Sequence, residues 1–338
     1  MRAYFPAYRK NQLDLLVLIL FALITAQDTR HAKLATRFPG QAKTSSVIRR
    51  IERFFQQHPL CPLDVARFVL QALPDGKRIF ILDRTNWKLG MQDVNLLVLA
   101  VRWRGVAIPL LWETLDHGGS SNQSIRAELL RQALELLKPH QIRLLIADRE
   151  FIGADWLAFL TGHRVPFCLR IRADTNVDGL PACEWLPDLK AHERGVIAHE
   201  VEVMGTFVNV AVAVSAEGER VVVIGTLRAE RLLDCYAARW AVESLFASMK
   251  SRGFRLESSH MTRAAHVSRL IGLLTLALVW CALLGAGEAR RVLVHGRAAV
   301  GMLAAGWSRL IRAFTRAVWG EAATLLELVD QLFSPAGT

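Results

Sequence analysis

The order of apolar runs between residues 78 and 148 restricts the fold more than any other feature of the chain. Residues 78–82 are short, apolar and bounded upstream by Pro74, Asp75 and Gly76, which predicts a strand that delivers Asp83 at its end. Two more strand-like runs, 95–103 and 106–112, are split only by Arg104-Gly105 and predict a hairpin. Residues 122–137 then carry helical periodicity, and Ile142–Ala147 reads as a buried strand ending in Asp148.

Three antiparallel strands, a helix and a further strand are how a ribonuclease-H-like α/β core begins, with the first and fourth strands side by side. In that arrangement Asp83 and Asp148, distant in sequence, come together. Paired carboxylates suit phosphoryl chemistry, because hard divalent cations take oxygen ligands and two of them can serve the attacking and leaving oxygens. Taken singly, each aspartate also fits a strand-end turn or a helix cap.

A third acid comes from the stretch YAARWAVESLFASMK, residues 236–250. On a continuous helix Tyr236, Arg239, Glu243 and Lys250 share an arc of about 60° and a length of about 21 Å, with Val242, Leu245, Phe246 and Met249 outside that arc, giving the helix an apolar side for packing. Arg239 and Glu243 alone could be an ordinary i,i+4 pair. With Tyr236 and Lys250 the row is long enough for a polymer backbone, and three of its four side chains suit phosphates.

Composition agrees with a polyanionic partner. The 338 residues carry a net charge of +11 with 52% hydrophobic residues, so the chain can bury a large core and still present basic surface. Residues 1–60 hold ten Lys and Arg against three Asp and Glu. Within them, residues 13–27 predict one helix, and a second runs from Ser45 or Ser46 to Gln57, with residues 63–72 as a third. Lys43, Ser45, Ser46, Arg49, Arg50 and Arg53 are candidate DNA contacts on the second helix, where a merely solvated basic face is the alternative. Five scattered cysteines without a C-x-x-C pair point to neither a disulfide framework nor a zinc ribbon, and fit a cytoplasmic protein. The apolar runs 15–26 and 270–286 read as buried helices, the first too short to span and the second broken by Gly272, Thr275 and Gly285, so no membrane partner is expected.

The remainder divides by composition. A helix is predicted over 154–161, then short strands over 166–171, 195–203, 207–214 and 220–226 make a β-rich insertion, and helices follow over 263–284 and through 310–333. The resulting plan is a helical DNA-binding region (1–74), a first part of the core (75–163), the insertion (164–227), a second part carrying the signature helix (228–285) and a helical C-terminal region (286–338).

These motifs resemble the DDE transposases of insertion sequences, and within them the insertion sequence 4 family with its Y-R-E-K signature. Tyr236-x2-Arg239-x3-Glu243-x6-Lys250 carries the likeness, joined by Asp83 in ILDRTNW, Asp148 in IADREF and GFRLESSH after the signature. The resemblance covers about residues 78–285. It implies a catalytic core in which Asp83, Asp148 and Glu243 bind two Mg²⁺ ions, with Mn²⁺ able to substitute, and in which Tyr236, Arg239 and Lys250 hold phosphates of the element end. It further implies cut-and-paste transposition by a homodimer acting on terminal inverted repeats and target DNA: nicking, an end hairpin, its opening, and strand transfer. One departure stands out: where the family has a tryptophan shortly before the signature, this chain reads Glu219-Arg220-Val221-Val222-Val223, and Trp185, elsewhere in the insertion, is the candidate substitute, with core packing the commoner role for an aromatic there. Two other functions share these features, a DNA-binding derivative that does not cut and a structure-selective nuclease on the same fold.

Overall fold

The computed structural model describes residues 2–89, 91–115, 122–250, 253–288 and 300–318. Four helices open the chain: α1 (Lys10–Ala26), α2 (His31–Ala35), α3 (Thr44–Gln57) and α4 (Pro62–Ala72). Helix α3 starts at Thr44 with Lys43 as its cap residue, so Ser45 and Ser46 lie inside the first turn rather than capping it. Then come β1 (Arg78–Leu89), β2 (Gln92–Trp103), β3 (Val106–Leu115), α5 (Gln123–Leu136), β4 (Ile142–Ala147), α6 (Ala154–Gly162) and β5 (Phe167–Ile171). Two short pieces, β6 (Asn176–Val177) and β7 (Leu180–Pro181), pair with each other. They lead to β8 (Arg194–Val203), β9 (Thr206–Val214), β10 (Arg220–Gly225), α7 (Ala229–Tyr236), α8 (Trp240–Met249), α9 (Ala264–Ala286) and α10 (Met302–Val318). The predicted helical stretch beyond residue 318 lies outside the described residues.

Eight strands form one sheet in the order β3-β2-β1-β4-β5-β10-β9-β8. Strands β1, β4 and β5 run parallel, and β2 and β3 are antiparallel additions on one side. The first and fourth strands are neighbours, as a ribonuclease-H-like core requires. The β2–β3 turn is Arg104 (φ 48°) and Gly105 (φ 90°), two left-handed residues in succession, which is the hairpin turn whose twist matches paired strands. Strands predicted as an insertion continue the central sheet through β5, β10 and β9. Their sequences explain why: β10 is RVVVIG and β9 is TFVNVAVAV, β-branched runs that suit a pleated surface buried on at least one side.

Helix α9 is the centre of the helical layer. It is long and apolar enough to cross a membrane, yet 83% of its apolar window is buried inside the protein, against α1, α3, α4, α10 and β3. Burying one Leu, Ile or Val side chain contributes about 1.5–3 kcal/mol, and α9 buries Leu270, Ile271, Leu273, Leu274, Leu276, Leu278 and Val279 almost completely. Its contact with α10 is backbone on backbone: a Cβ on Gly306 would lie 1.8 Å from the Cys281 carbonyl oxygen, and one on Gly285 1.9 Å from that of Met302. The N-terminal helices join the same core, and Arg269 of α9 ties them down by donating to the carbonyls of His58 (2.6 Å) and Phe55 (2.8 Å).

Candidate active site

Parallel pairing of β1 with β4 ends at Leu82 and Ala147, so Asp83 and Asp148 are the next residues on each strand. Asp83 is not the end of β1, as the sequence suggested. The strand continues against β2 as far as Leu89, and the outer half alternates buried Thr85 and Trp87 with exposed Asn86 and Lys88. Asp83 is 8% exposed, its Oδ1 accepting from the Arg84 N–H at 2.8 Å. Asp148 opens a tight turn: its Oδ1 accepts from the Arg149 N–H (2.8 Å) and its carbonyl from the Phe151 N–H (2.9 Å).

The signature stretch is not one uninterrupted α-helix. A 3-10 turn, Ala237–Arg239, separates α7 from α8, with right-handed helical backbone angles kept at Tyr236, Ala237, Arg239 and Trp240. Tyr236 therefore ends one helix, Arg239 closes the tight turn, Glu243 lies in the first turn of α8, and Lys250 caps its end. The overwound turn aims the polar side chains at the sheet. Arg239 donates through Nη1 to Asp83 Oδ2 at 2.7 Å and through Nη2 to Glu243 Oε1 at 2.6 Å, and the Tyr236 hydroxyl donates to Asp148 Oδ1 at 3.0 Å.

One guanidinium thus bridges acids from two elements, and one phenol reaches the third. Burial pushes the Asp83 carboxyl up to about 6, against the charge of Arg239 and the Arg84 N–H, with Asp148 and Glu150 adding to the rise. Burial would draw Arg239 down, but Tyr236, Asp83, Asp148 and Glu243 outweigh it and hold the guanidinium charged. Burial raises the Tyr236 phenol, and the Asp148 charge raises it further.

The expected ligand set of Asp83, Asp148 and Glu243 is therefore not assembled around a common ion position: among the described residues no three His, Cys, Asp or Glu side chains stand close enough to hold a metal. The physical reason is Arg239, whose charge occupies the ground between Asp83 and Glu243. The donor chemistry nevertheless fits a hard divalent cation. Every acid here offers carboxylate oxygen, and a carboxylate as buried as Asp83 is stable in its charged form only beside a positive charge.

Lys250 is also engaged. Its ammonium donates to the Asn86 carbonyl at 2.7 Å, pairs with Glu257 at 3.3 Å and lies 5.7 Å from the centre of the Trp87 ring. The three signature residues expected to grip phosphate are each part-buried and held by a protein partner. By contrast Lys43, Ser45, Ser46, Arg49, Arg50 and Arg53 are all exposed on α3, and none of its four cations has an ion-pair partner among the described residues. Trp185 packs against the core, its indole donating to the Val177 carbonyl at 3.2 Å. Sequence reasoning missed Trp240, 70% exposed beside Arg239, and Arg84 and Glu150, which pair on the far side of Asp83. Adjacency to the signature arginine and to the two aspartates was the available signal for all three.

Residues 119–280 match the family model of the transposase DDE domain, a span that takes in Asp148 and the whole signature and leaves Asp83 outside. No curated protein matches the sequence. Among solved structures, the chain is similar to the piggyBac transposase synaptic complex with hairpin DNA, with a TM-score of 0.50 at 8% identity, covering 98% of this chain and 77% of that one. Endonuclease V from Bacillus subtilis aligns over 70% of this chain and 91% of its own with a TM-score of 0.28 at 10% identity. The domain match spans just under half of the chain, and the piggyBac likeness is one of fold.

Proposed function

We propose that this protein is a cut-and-paste DNA transposase of the insertion sequence 4 type, acting as a homodimer on the paired terminal repeats of its element. The observation that carries the reading is the bridge from Asp83 through Arg239 to Glu243, joined by Tyr236 on Asp148: three acids from separate segments in one polar site beside parallel strand ends. Asp83, Asp148 and Glu243 would hold two Mg²⁺ ions, or Mn²⁺ in their place. Bound there, the ions supply Lewis-acid stabilisation of charge that develops on the phosphate oxygens.

The chain's own residues do the remainder. Arg239 leaves the carboxylates when DNA arrives and turns its planar fork to a phosphate, for which its geometry is suited. Tyr236, released from Asp148, and Lys250, released from Asn86 and Glu257, hold neighbouring phosphates of the element end. Each chemical event is an in-line displacement at phosphorus: an oxygen nucleophile forms the new P–O bond as the P–O bond to the leaving 3′ oxygen breaks. The first such event frees a 3′ hydroxyl, which then attacks the opposite strand to form an end hairpin. Opening of the hairpin regenerates the hydroxyl for strand transfer into target DNA. The exposed basic face of α3 grips flanking duplex.

The guanidinium bridge also favours a second reading, a derivative that binds DNA without cutting, since Arg239 satisfies Asp83 and Glu243 and Tyr236 satisfies Asp148 with protein partners. One assay separates the two. Wild-type protein with Mg²⁺ or Mn²⁺ is expected to nick DNA carrying the element's terminal repeat. Glu243→Gln is expected to lose at least about 10²-fold in cleavage, the scale of losing one preorganised electrostatic group, with end binding kept. Cleavage that persists in Glu243→Gln removes the assigned role, and a wild type that binds the repeat but never cuts it supports the second reading.

A further inference from the structure

On the opposite face of β1 from Arg239, a second ionic contact links the two aspartate-bearing strands. Successive strand residues point to opposite faces, so Asp83 and Arg84 diverge. Arg84 donates through Nε to Glu150 Oε2 at 3.1 Å, its Nη2 lies 3.0 Å from the same oxygen, and its Nη1 donates to Asn95 Oδ1 at 3.2 Å. Asn95 is 1% exposed, which fixes one arm of the fork. Arg126 of α5, itself buried over the Phe151 ring, adds a second positive charge near Glu150.

The place of this pair in the ladder gives it a consequence. Backbone pairing of β1 with β4 stops at Leu82 and Ala147, one residue before each aspartate. Beyond that point the Arg84–Glu150 pair takes over the connection. Each end is rigidly coupled to an aspartate: Arg84 is bonded to Asp83 through its own N–H, and Glu150 lies within the turn that the Phe151 N–H closes onto the Asp148 carbonyl, with Phe151 fully buried.

We propose that Arg84 and Glu150 are positioning residues, a clamp that sets the separation of Asp83 and Asp148 for divalent-ion binding without touching the ion or the DNA. The inference rests on the metal-ion reading of the site given above. Outer partners that orient ligating carboxylates typically alter metal affinity by about 10- to 100-fold when removed.

The test is a Mn²⁺ titration of the full-length protein followed by its melting temperature, with melting in EDTA as the control for folding. Glu150→Gln, which keeps shape and loses charge, is expected to melt near wild type in EDTA and to need about 10-fold more Mn²⁺ for half of the stabilising shift. Arg84→Glu and Glu150→Arg are expected to fall further, and the double swap to return to within about 3-fold of wild type, because the pair is restored with its ends exchanged. If Glu150→Gln does not fold, Arg84→Lys, which retains the charge but not the fork, carries the comparison with an expected shift of about 3-fold. A wild-type midpoint in the conservative variant, or a swap no better than its single parents, overturns the clamp. No Mn²⁺ response in the wild type brings down the ion site itself, and the clamp with it, whereas a normal wild-type response with an unaffected Glu150→Gln sinks the clamp alone.

Discussion

The acid site and the basic face of α3 hold their cations in opposite ways. In the site, the side chains of Arg239, Lys250 and Arg84 are at most 20% exposed, and each is satisfied by carboxylates or carbonyl oxygens of the protein. On α3, Lys43, Arg49, Arg50 and Arg53 face solvent, while Val47, Ile51, Phe54 and Phe55 bury the other side of the same helix. A cation that neutralises a buried acid holds the fold together and must be exchanged before it can serve a ligand. One that faces water is available at once and contributes little to stability. The two groups should therefore separate in experiments that read stability and DNA binding independently.

The largest separation is expected in thermal stability without metal. Arg239→Ala leaves Asp83 and Glu243 facing each other without a counter-charge, and is expected to cost about 2 kcal/mol at neutral pH. That is below the roughly 3–5 kcal/mol of a fully enclosed pair, because Asp83 can take up a proton. Mn²⁺, able to replace the guanidinium's charge, should recover most of the loss. Arg49→Ala should stay within about 0.5 kcal/mol of wild type. Equal melting of the two variants would erase the distinction between the regions.

A smaller effect is expected from the outer group, and in the other observable. Replacing Arg49, Arg50 and Arg53 together by Ala should lower the slope of log affinity against log salt by about 3, near 0.9 for each phosphate that is no longer neutralised, and weaken binding of terminal-repeat and random duplex alike. Weakening confined to the terminal repeat would mean that α3 reads bases and does more than grip phosphates.

Much of the scaffold was legible because its signals were local. The limits of β4 follow from its sequence, and those of α5 and the β2–β3 hairpin to within a few residues, since apolar runs, helical periodicity and the Arg104-Gly105 turn are short-range features. The outer half of β1 was legible too but overlooked, because Thr85, Asn86, Trp87 and Lys88 alternate as a half-buried strand does and lie after the apolar run. The internal engagement of the signature residues was not legible. The Arg239–Glu243 pair is visible as i,i+4, but its second partner, Asp83, arrives only when the sheet closes. The same holds for Lys250, whose partner is the backbone carbonyl of Asn86 from a distant strand. The 3-10 turn at Ala237–Arg239 has no Gly or Pro to announce it, and its backbone angles stay within the helical region.

Crystals grown with Mn²⁺ and a short duplex of the terminal repeat, read by anomalous scattering, give the most direct measurement. The expected result is anomalous density ligated by Asp83, Asp148 and Glu243, with the Arg239 guanidinium turned away onto a DNA phosphate. Arg239 still bridging Asp83 and Glu243 in the presence of bound DNA and saturating Mn²⁺, with no metal at the three carboxylates, would contradict it.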